Sequence, residues 1–351
     1  MGRHHGWEQG RKLSLRPHRV ITNCWVVVAL AAAGALVPLS SAAASSPART
    51  DAAHAPSSAS AAAAAANGRI AFSQWDLLPG GNLSGHSNVY TIKPNGSGRR
   101  QLTHVDATQA AGAPDWSPDG ARIVYESNQS GDYRIWVMNA DGSGQKRLSD
   151  DPGFADLNPA WSPDGKRILF SRCDDHLHLP FFLACDLEVM NAAGGGMRRL
   201  AGGHWTYVRG QYSPDGRRIV VGADRGGFQS ALWVMRSDGT GLHRITRSSL
   251  RAFWPGWSPN GRRILFTDNC CQFGSNIWTV RPDGTGLRQL THFAPQQGDF
   301  ASYSPNGRRI VLHFDAKCGR CFSVMNADGS GRHAVRTGVA HTFLTDWGPA
   351  R

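Results

Sequence analysis

The sequence is poor in charge and poorest in acid. Only 18% of its 351 residues are Asp, Glu, Lys or Arg, and 26 acidic residues face 38 basic ones. With 40% hydrophobic residues, the chain is too apolar to remain disordered. The acid shortage leaves a formal net charge of +12, which raises nucleic acid and membrane as partners. No Gly-x-Ser-x-Gly nucleophile elbow occurs, and no α/β stretch is present to host a hydrolase domain. Gly and Pro are plentiful instead, at 41 and 19 residues. That is about 17% of the chain, against roughly 12% in average usage. Turns this frequent exclude a helical bundle. Length alone suggests two domains.

Residues 1–19 carry Arg3, Arg11, Lys12, Arg16 and Arg19 against Glu8 alone. An apolar run follows from Val20 to Leu39, and then Ala42-Ala43-Ala44. A basic start, an apolar stretch and an A-x-A site read as a secretory signal over residues 1–44. The basic region is long, so an uncleaved signal-anchor stays open as the alternative. At about 20 residues the run just spans a bilayer. Cleavage near Ala44 is favoured, because small residues sit where the peptidase needs them. Cys24 lies at the start of the run and is not placed as a lipoprotein anchor. Residues 45–66 are almost entirely Ala, Ser and Pro, with no large apolar side chain, and read as a flexible linker.

A repeat fills residues 67–351. Ser-Pro-Asp/Asn-Gly opens at Ser117, Ser162, Ser213, Ser258 and Ser304, each after an aromatic: Trp116, Trp161, Tyr212, Trp257 and Tyr303. Trp347 makes a sixth. A second marker, x-Gly-x-Gly, opens at Asn95, Asp141, Ala193, Asp238, Asp283 and Asp328, in phase with the first. Between the markers lie short runs such as Arg167-Ile168-Leu169-Phe170 and Ile135-Trp136-Val137-Met138. β-branched and aromatic runs bounded by Gly, Pro and Asp are strands. The Asp-Gly and Asn-Gly pairs are tight turns. Four strands per period, six times over, predict an all-β fold: a six-bladed β-propeller as one domain. The first repeat lacks its Trp strand, and a spare one lies around Phe343–Trp347. The C-terminal strand is therefore expected to complete the first blade and close the ring.

Asn158-Pro159-Ala160-Trp161-Ser162-Pro163-Asp164-Gly165 and Ile135-Trp136-Val137-Met138-Asn139-Ala140-Asp141-Gly142 carry a family likeness. They resemble the TolB-type repeat, a WD-like Asp-Pro repeat also seen in the propellers of dipeptidyl-peptidase-type enzymes. TolB has an α/β domain ahead of its propeller. Only the linker stands in that place here, so TolB's envelope role does not carry over whole.

Both repeated turns lie at one end of each blade, and turn chemistry alone explains them. They lack the alternating oxygen ligands of a calcium loop. The opposite end varies from blade to blade, so a site is expected there. Its aromatic and Arg residues have the composition of binding hot spots. The candidates flanking the inner strands are His204, Trp205, Tyr207, Arg209, Arg251, Trp254 and Phe300. The expected partner is an extracytoplasmic protein, peptide or envelope polymer, bound by an exported monomer that is secreted, periplasmic or at the cell surface. Membrane contact is expected only through an uncleaved signal-anchor. Residues 1–66 remove six basic and two acidic residues, which leaves the repeat at net +8. Its cations follow the repeated turns, as in Arg217-Arg218 and Arg262-Arg263, and form a solvated rim. Nucleic acid is therefore not expected.

Six Cys remain beyond the signal, in or beside the connections between second and third strands. An even count in an exported chain favours disulfides. Cys173 and Cys185 flank the one enlarged connection and are expected to pair, as are Cys318 and Cys321. Cys270 and Cys271 either bridge each other or reach a neighbouring blade. Asp174, His176 and His178 are metal-ligand types, but their spacing matches no zinc site, and no cofactor is expected. An enzyme remains the alternative: a lyase or hydrolase on carbohydrate or lactone, with a metal or acidic site at the channel mouth. Candidates there are Asp156, Glu188, Asp299 and Asp346 with His204, His292 and His341. Glu188 stands where other repeats carry Tyr90, Trp136, Trp233, Trp278 and Ser323.

Overall fold

The computed structural model describes residues 67–77, 83–174, 184–203, 205–224, 230–268, 275–293, 297–315, 321–338 and 342–350. These residues form 24 strands and one short 3-10 turn, Ser248–Leu250. Four sheets have four strands each, and a fifth has eight. The eight-stranded sheet is two four-stranded units joined by a single parallel pair, Cys185 with Thr206. Six blades result.

Blade 1 runs, from the channel outward, Thr342–Pro349, Asn67–Leu77, Leu83–Ile92 and Arg100–Gln101. The C-terminal strand completes the first blade as expected, pairing antiparallel with Asn67–Leu77. The inner strands of blades 2 to 6 are Ala111–Trp116, Phe154–Trp161, Thr206–Tyr212, Phe253–Trp257 and Gln297–Tyr303. Each inner strand packs on the next, and the sixth packs on the first, so the ring is closed and no inner edge is left open.

The repeated turns are built alike. In Ser117, Ser162, Ser213, Ser258 and Ser304 the hydroxyl donates to the Asp or Asn two residues on. It also accepts the amide five residues on. The turn Gly takes a positive φ, for example 64° at Gly120, where a side chain is strained. Between blades, alternate strand residues fill apolar layers. Val124, Ile135, Trp161, Ile168 and Phe170 form one such layer, bridging blades 2 and 3. Among the described residues no helix is long and apolar enough to cross a membrane.

Cys173 and Cys185 face each other in register and are disulfide-bonded, as expected from the enlarged connection. Cys270, Cys271, Cys318 and the side chain of Cys321 lie outside the described residues.

Candidate functional site

Every inner strand carries a β-bulge three residues before its aromatic. The register slips between Gly112 and Asp115, Leu157 and Ala160, Val208 and Gln211, Phe253 and Gly256, Asp299 and Ser302, and Phe343 and Asp346. At the slip in blades 2 to 6 a residue other than Gly takes a left-handed φ: Ala113 46°, Asn158 53°, Arg209 49°, Trp254 55° and Phe300 50°. Each costs about 1–2 kcal/mol of backbone strain. A device repeated in five blades belongs to the architecture, because a bulge bends the inner strand and re-aims its side chain. The chemistry comes from which side chain stands there. Ala113 is small, Trp254 and Phe300 are aromatic, and Arg209 is a cation.

Arg209 is enclosed by protein while part of its surface stays accessible. Its guanidinium passes 5.8 Å from the Trp254 ring, and Trp254 lies 5.0 Å from Phe300. It makes no hydrogen bond or ion pair with the described residues. Three carboxylates, the buried Asp115 and Glu126 and the half-buried Asp346, surround it at electrostatic range. Burial lowers the affinity of Arg209 for its proton, and the three carboxylates oppose that effect.

The carboxylates are held by neighbouring blades. Asp115 Oδ2 accepts the amide of Trp161 at 2.8 Å, and Asp346 Oδ2 accepts that of Trp116 at 2.9 Å. Ser302 donates to Asp346 Oδ1 at 3.2 Å. Glu126 Oε2 accepts the amide of the bulge residue Asn158 at 2.7 Å. Burial pushes the Asp115 carboxyl up to about 8, with Asp346 adding to the rise. Burial also raises Asp346, and it raises Glu126 to about 7. Two carboxyls with raised proton affinity thus share the channel with a guanidinium that has no hydrogen bond to the described residues.

The sequence candidates do not form one cluster. Arg209, Trp254 and Phe300 meet at the channel. Trp254 and Phe300 are only 3% and 4% exposed, which corrects the expectation of a ligand-facing aromatic surface. The bulge turns both rings inward, where they pack with Trp75, Ala113 and Phe343. Tyr207 is buried as well. It and the half-buried Trp205 belong to the core of blades 3 and 4, where Trp205 meets the edge of Trp233. Arg251 caps the 3-10 turn in a left-handed conformation at the entry to blade 5. His204 lies outside the described residues, as do His176, His178 and His341. Asp174 is exposed. Among the described residues no three His, Cys, Asp or Glu side chains stand close enough to hold a metal.

Asp156 and Glu188 face Arg172. Arg172 holds Asp156 in a two-pronged pair at 2.7 and 3.0 Å, reaches Asp151 at 2.5 Å and lies 3.9 Å from Glu188. Glu188 replaces the usual aromatic because it borders a buried guanidinium. Asp115 and Glu126 were missed by sequence reasoning. Asp115 was findable: in its column, before the aromatic, stand Ala160, Gln211, Gly256, Ser302 and Asp346, so only two of six are acids.

The Asp-Pro repeat and its closed ring define the class, a TolB-type β-propeller. The chain belongs to the family described as the Tricorn protease N-terminal beta propeller domain, whose profile matches residues 83–320. It is 31% identical over 133 residues to the uncharacterized protein Atu1656 of Agrobacterium fabrum, covering 37% of this chain and 44% of that one. It is 43% identical over 44 residues to the Tol-Pal system protein TolB of Anaeromyxobacter dehalogenans, covering 12% and 10%. The chain thus spans less than half the length of these relatives. The crystal structure of TolB from Acinetobacter baumannii superposes with a TM-score of 0.65 at 19% identity, over 80% of this chain and 67% of that one. That likeness shows the fold.

Proposed function

We propose that the chain is an exported, non-catalytic binding propeller that engages a protein, peptide or envelope polymer over its variable loop face. The observation that carries the reading is Arg209, a guanidinium enclosed in the channel without a hydrogen-bond acceptor among the described residues. An unmet charged donor in a low-dielectric bore is costly, and an acceptor on a ligand relieves it. A carboxylate or carbonyl of an inserted peptide or polymer segment supplies that acceptor. Export is supported by the N-terminal signal pattern and by the Cys173–Cys185 bridge, since disulfides persist in oxidising compartments.

The test is capture of partners from envelope extract by the wild-type chain and by Arg209→Met, which keeps the stem and removes the charge. Loss of a captured partner in the variant supports the reading. An unchanged set of partners overturns it. The enzyme reading is favoured by one arrangement, the Asp115 and Asp346 carboxyls near each other in the channel, both raised by burial, as in an acid–base pair. Both already accept main-chain amides of neighbouring blades, so their first role is to latch the ring. A hydrolase or lyase activity abolished by Asp115→Asn, with folding intact, decides for the enzyme.

A further inference from the structure

Two contacts close some of the seams between blades, and both are absent where blade 1 meets blade 2. In the first, the Arg that opens the second strand of a blade lies over the inner-strand aromatic of the next blade. Arg122 lies 4.6 Å from the Trp161 ring, Arg218 4.9 Å from Trp257, and Arg167 5.9 Å from Tyr212. In the second, the Arg that opens the fourth strand reaches the carbonyl of the next blade's Gly-x-Gly turn. Arg198 donates to Asp238 at 3.3 Å, and Arg288 donates to Asp328 at 3.0 Å.

Between blades 1 and 2 the corresponding pairs are Arg69 with Trp116, and Arg100 with Asp141. Neither contact forms. Arg69 turns back onto its own blade, donating to Thr91 Oγ1 at 3.0 Å, to the Thr91 carbonyl at 3.1 Å and to the Gly98 carbonyl. Gly348 of the closing strand lies so near the Trp116 ring that a Cβ there would stand 2.5 Å from Cγ. Arg100 is exposed and makes no hydrogen bond or ion pair with the described residues. A cavity of about 420 Å³ remains, lined by both arginines, Trp116 and the Asp141 turn.

The charge of that cavity is net positive, two guanidiniums against the one carboxylate of Asp141. Two guanidiniums share its rim, and the Asp141 carboxylate is engaged by Ser143, whose amide and hydroxyl donate to it at 3.0 and 2.7 Å. Burial weakens the hold of Arg69 on its proton, and the neighbouring Arg100 adds to that. Like charges with donors left over are the arrangement that an anion relieves, and guanidinium donors match the spacing of carboxylate and phosphate oxygens. The Arg-rich rim of this face raises the local concentration of anions.

We propose that the seam between blades 1 and 2, on the repeated-turn face, is a binding site for an oxyanion group, a carboxylate or a tetrahedral phosphate or sulfate. Arg100 is its principal donor, Arg69 the second charge and Trp116 the wall. The site lies on the opposite face from the variable loops and is independent of what the channel binds.

The test is isothermal titration of the full chain with inorganic phosphate, sulfate and acetate at constant ionic strength. One anion is expected to bind per chain. Arg100→Ala is expected to weaken it about tenfold or more, the loss of one charge-assisted pair. Arg100 is exposed and joins no core, so this variant folds. Arg198→Ala, the same position in blade 3, is expected to leave the affinity unchanged. Tighter binding of phosphate or sulfate assigns a tetrahedral group, and tighter binding of acetate assigns a carboxylate; either supports the site. Absence of binding by all three anions, or equal affinity in wild type and Arg100→Ala, overturns it.

Discussion

Asp115 on the inner strand of blade 2 holds the amide of Trp161 on the inner strand of blade 3 at 2.8 Å. The latch uses a carboxyl that prefers its proton, because it is buried and near Asp346. Its affinity is raised from 3.8 to about 8, and that of Glu126 from 4.5 to about 7. Between the ordinary and the raised values the folded chain keeps protons that the unfolded chain releases. Stability therefore falls as pH rises through that window, and it is fully present below it. Thermal unfolding is expected to show a falling Tm from about pH 5 to about pH 8. Asp115→Asn keeps an acceptor oxygen for Trp161 and has no proton to lose. Its slope should be flatter, and at about pH 8 its Tm should exceed wild type by roughly 2–4 °C, about 1 kcal/mol. A variant that tracks the wild-type slope would place the proton elsewhere.

The bulge strain is separable from burial by two neighbouring alanines. Ala111 and Ala113 are both buried on one strand, but only Ala113 has a left-handed φ, 46°. Ala111→Gly loses a buried methyl and adds backbone freedom, at a cost of about 1–2 kcal/mol. Ala113→Gly suffers the same losses and recovers about 1–2 kcal/mol of strain. Urea unfolding should leave Ala113→Gly near wild type and lower the midpoint of Ala111→Gly. Equal losses would mean that the bulge is unstrained.

The ring was legible because its turns repeat in phase, and a missing and a spare strand matched. The disulfide was legible because Cys173 and Cys185 bracket the one oversized connection. The bulges were not. Ala113, Arg209, Trp254 and Phe300 are not turn-forming side chains, and only Asn158 among the five favours a left-handed φ, so no shared side-chain signal marks the bulges. Trp254 and Phe300 consequently read as exposed loop aromatics while the bulge buries them. The oxyanion seam was equally hidden, since Arg69 and Arg100 occupy the same columns as arginines that make structural contacts elsewhere. What differs is that their partners are not reached.

Arg172 is the buried cation whose removal should cost most. It is 8% exposed, and its main partner Asp156 is fully buried. Arg172→Met leaves Asp156 and Glu188 without their counter-charge, and a loss of about 3–5 kcal/mol is expected. Arg172→Met with Asp156→Leu removes both ends of the pair and should recover most of that loss. Chemical denaturation of the single and double variants checks this. A double variant as unstable as the single one would show that packing, rather than the stranded charge, sets the cost.

Closure of the ring rests on Trp347, which is 3% exposed and packs with Ile70, Phe72, Val311 and Phe322. Phe72 and Phe322 meet edge-on at 5.0 Å, so the cluster around this indole joins blades 6 and 1. Trp347→Ala is expected to cost about 3–5 kcal/mol. Deleting residues 342–351 goes further, because it strips Asn67–Leu77 of its inner partner and exposes an unpaired strand edge at the bore. Size-exclusion chromatography should find the truncated chain as oligomers or aggregate. A synthetic peptide of residues 340–351 added in trans should restore the monomer by adding the strand back, as sheet edges accept peptides. A truncated chain that stays monomeric with an unchanged Tm would mean that the ring is held shut by the blade cores alone, and that the spare strand is not its lock.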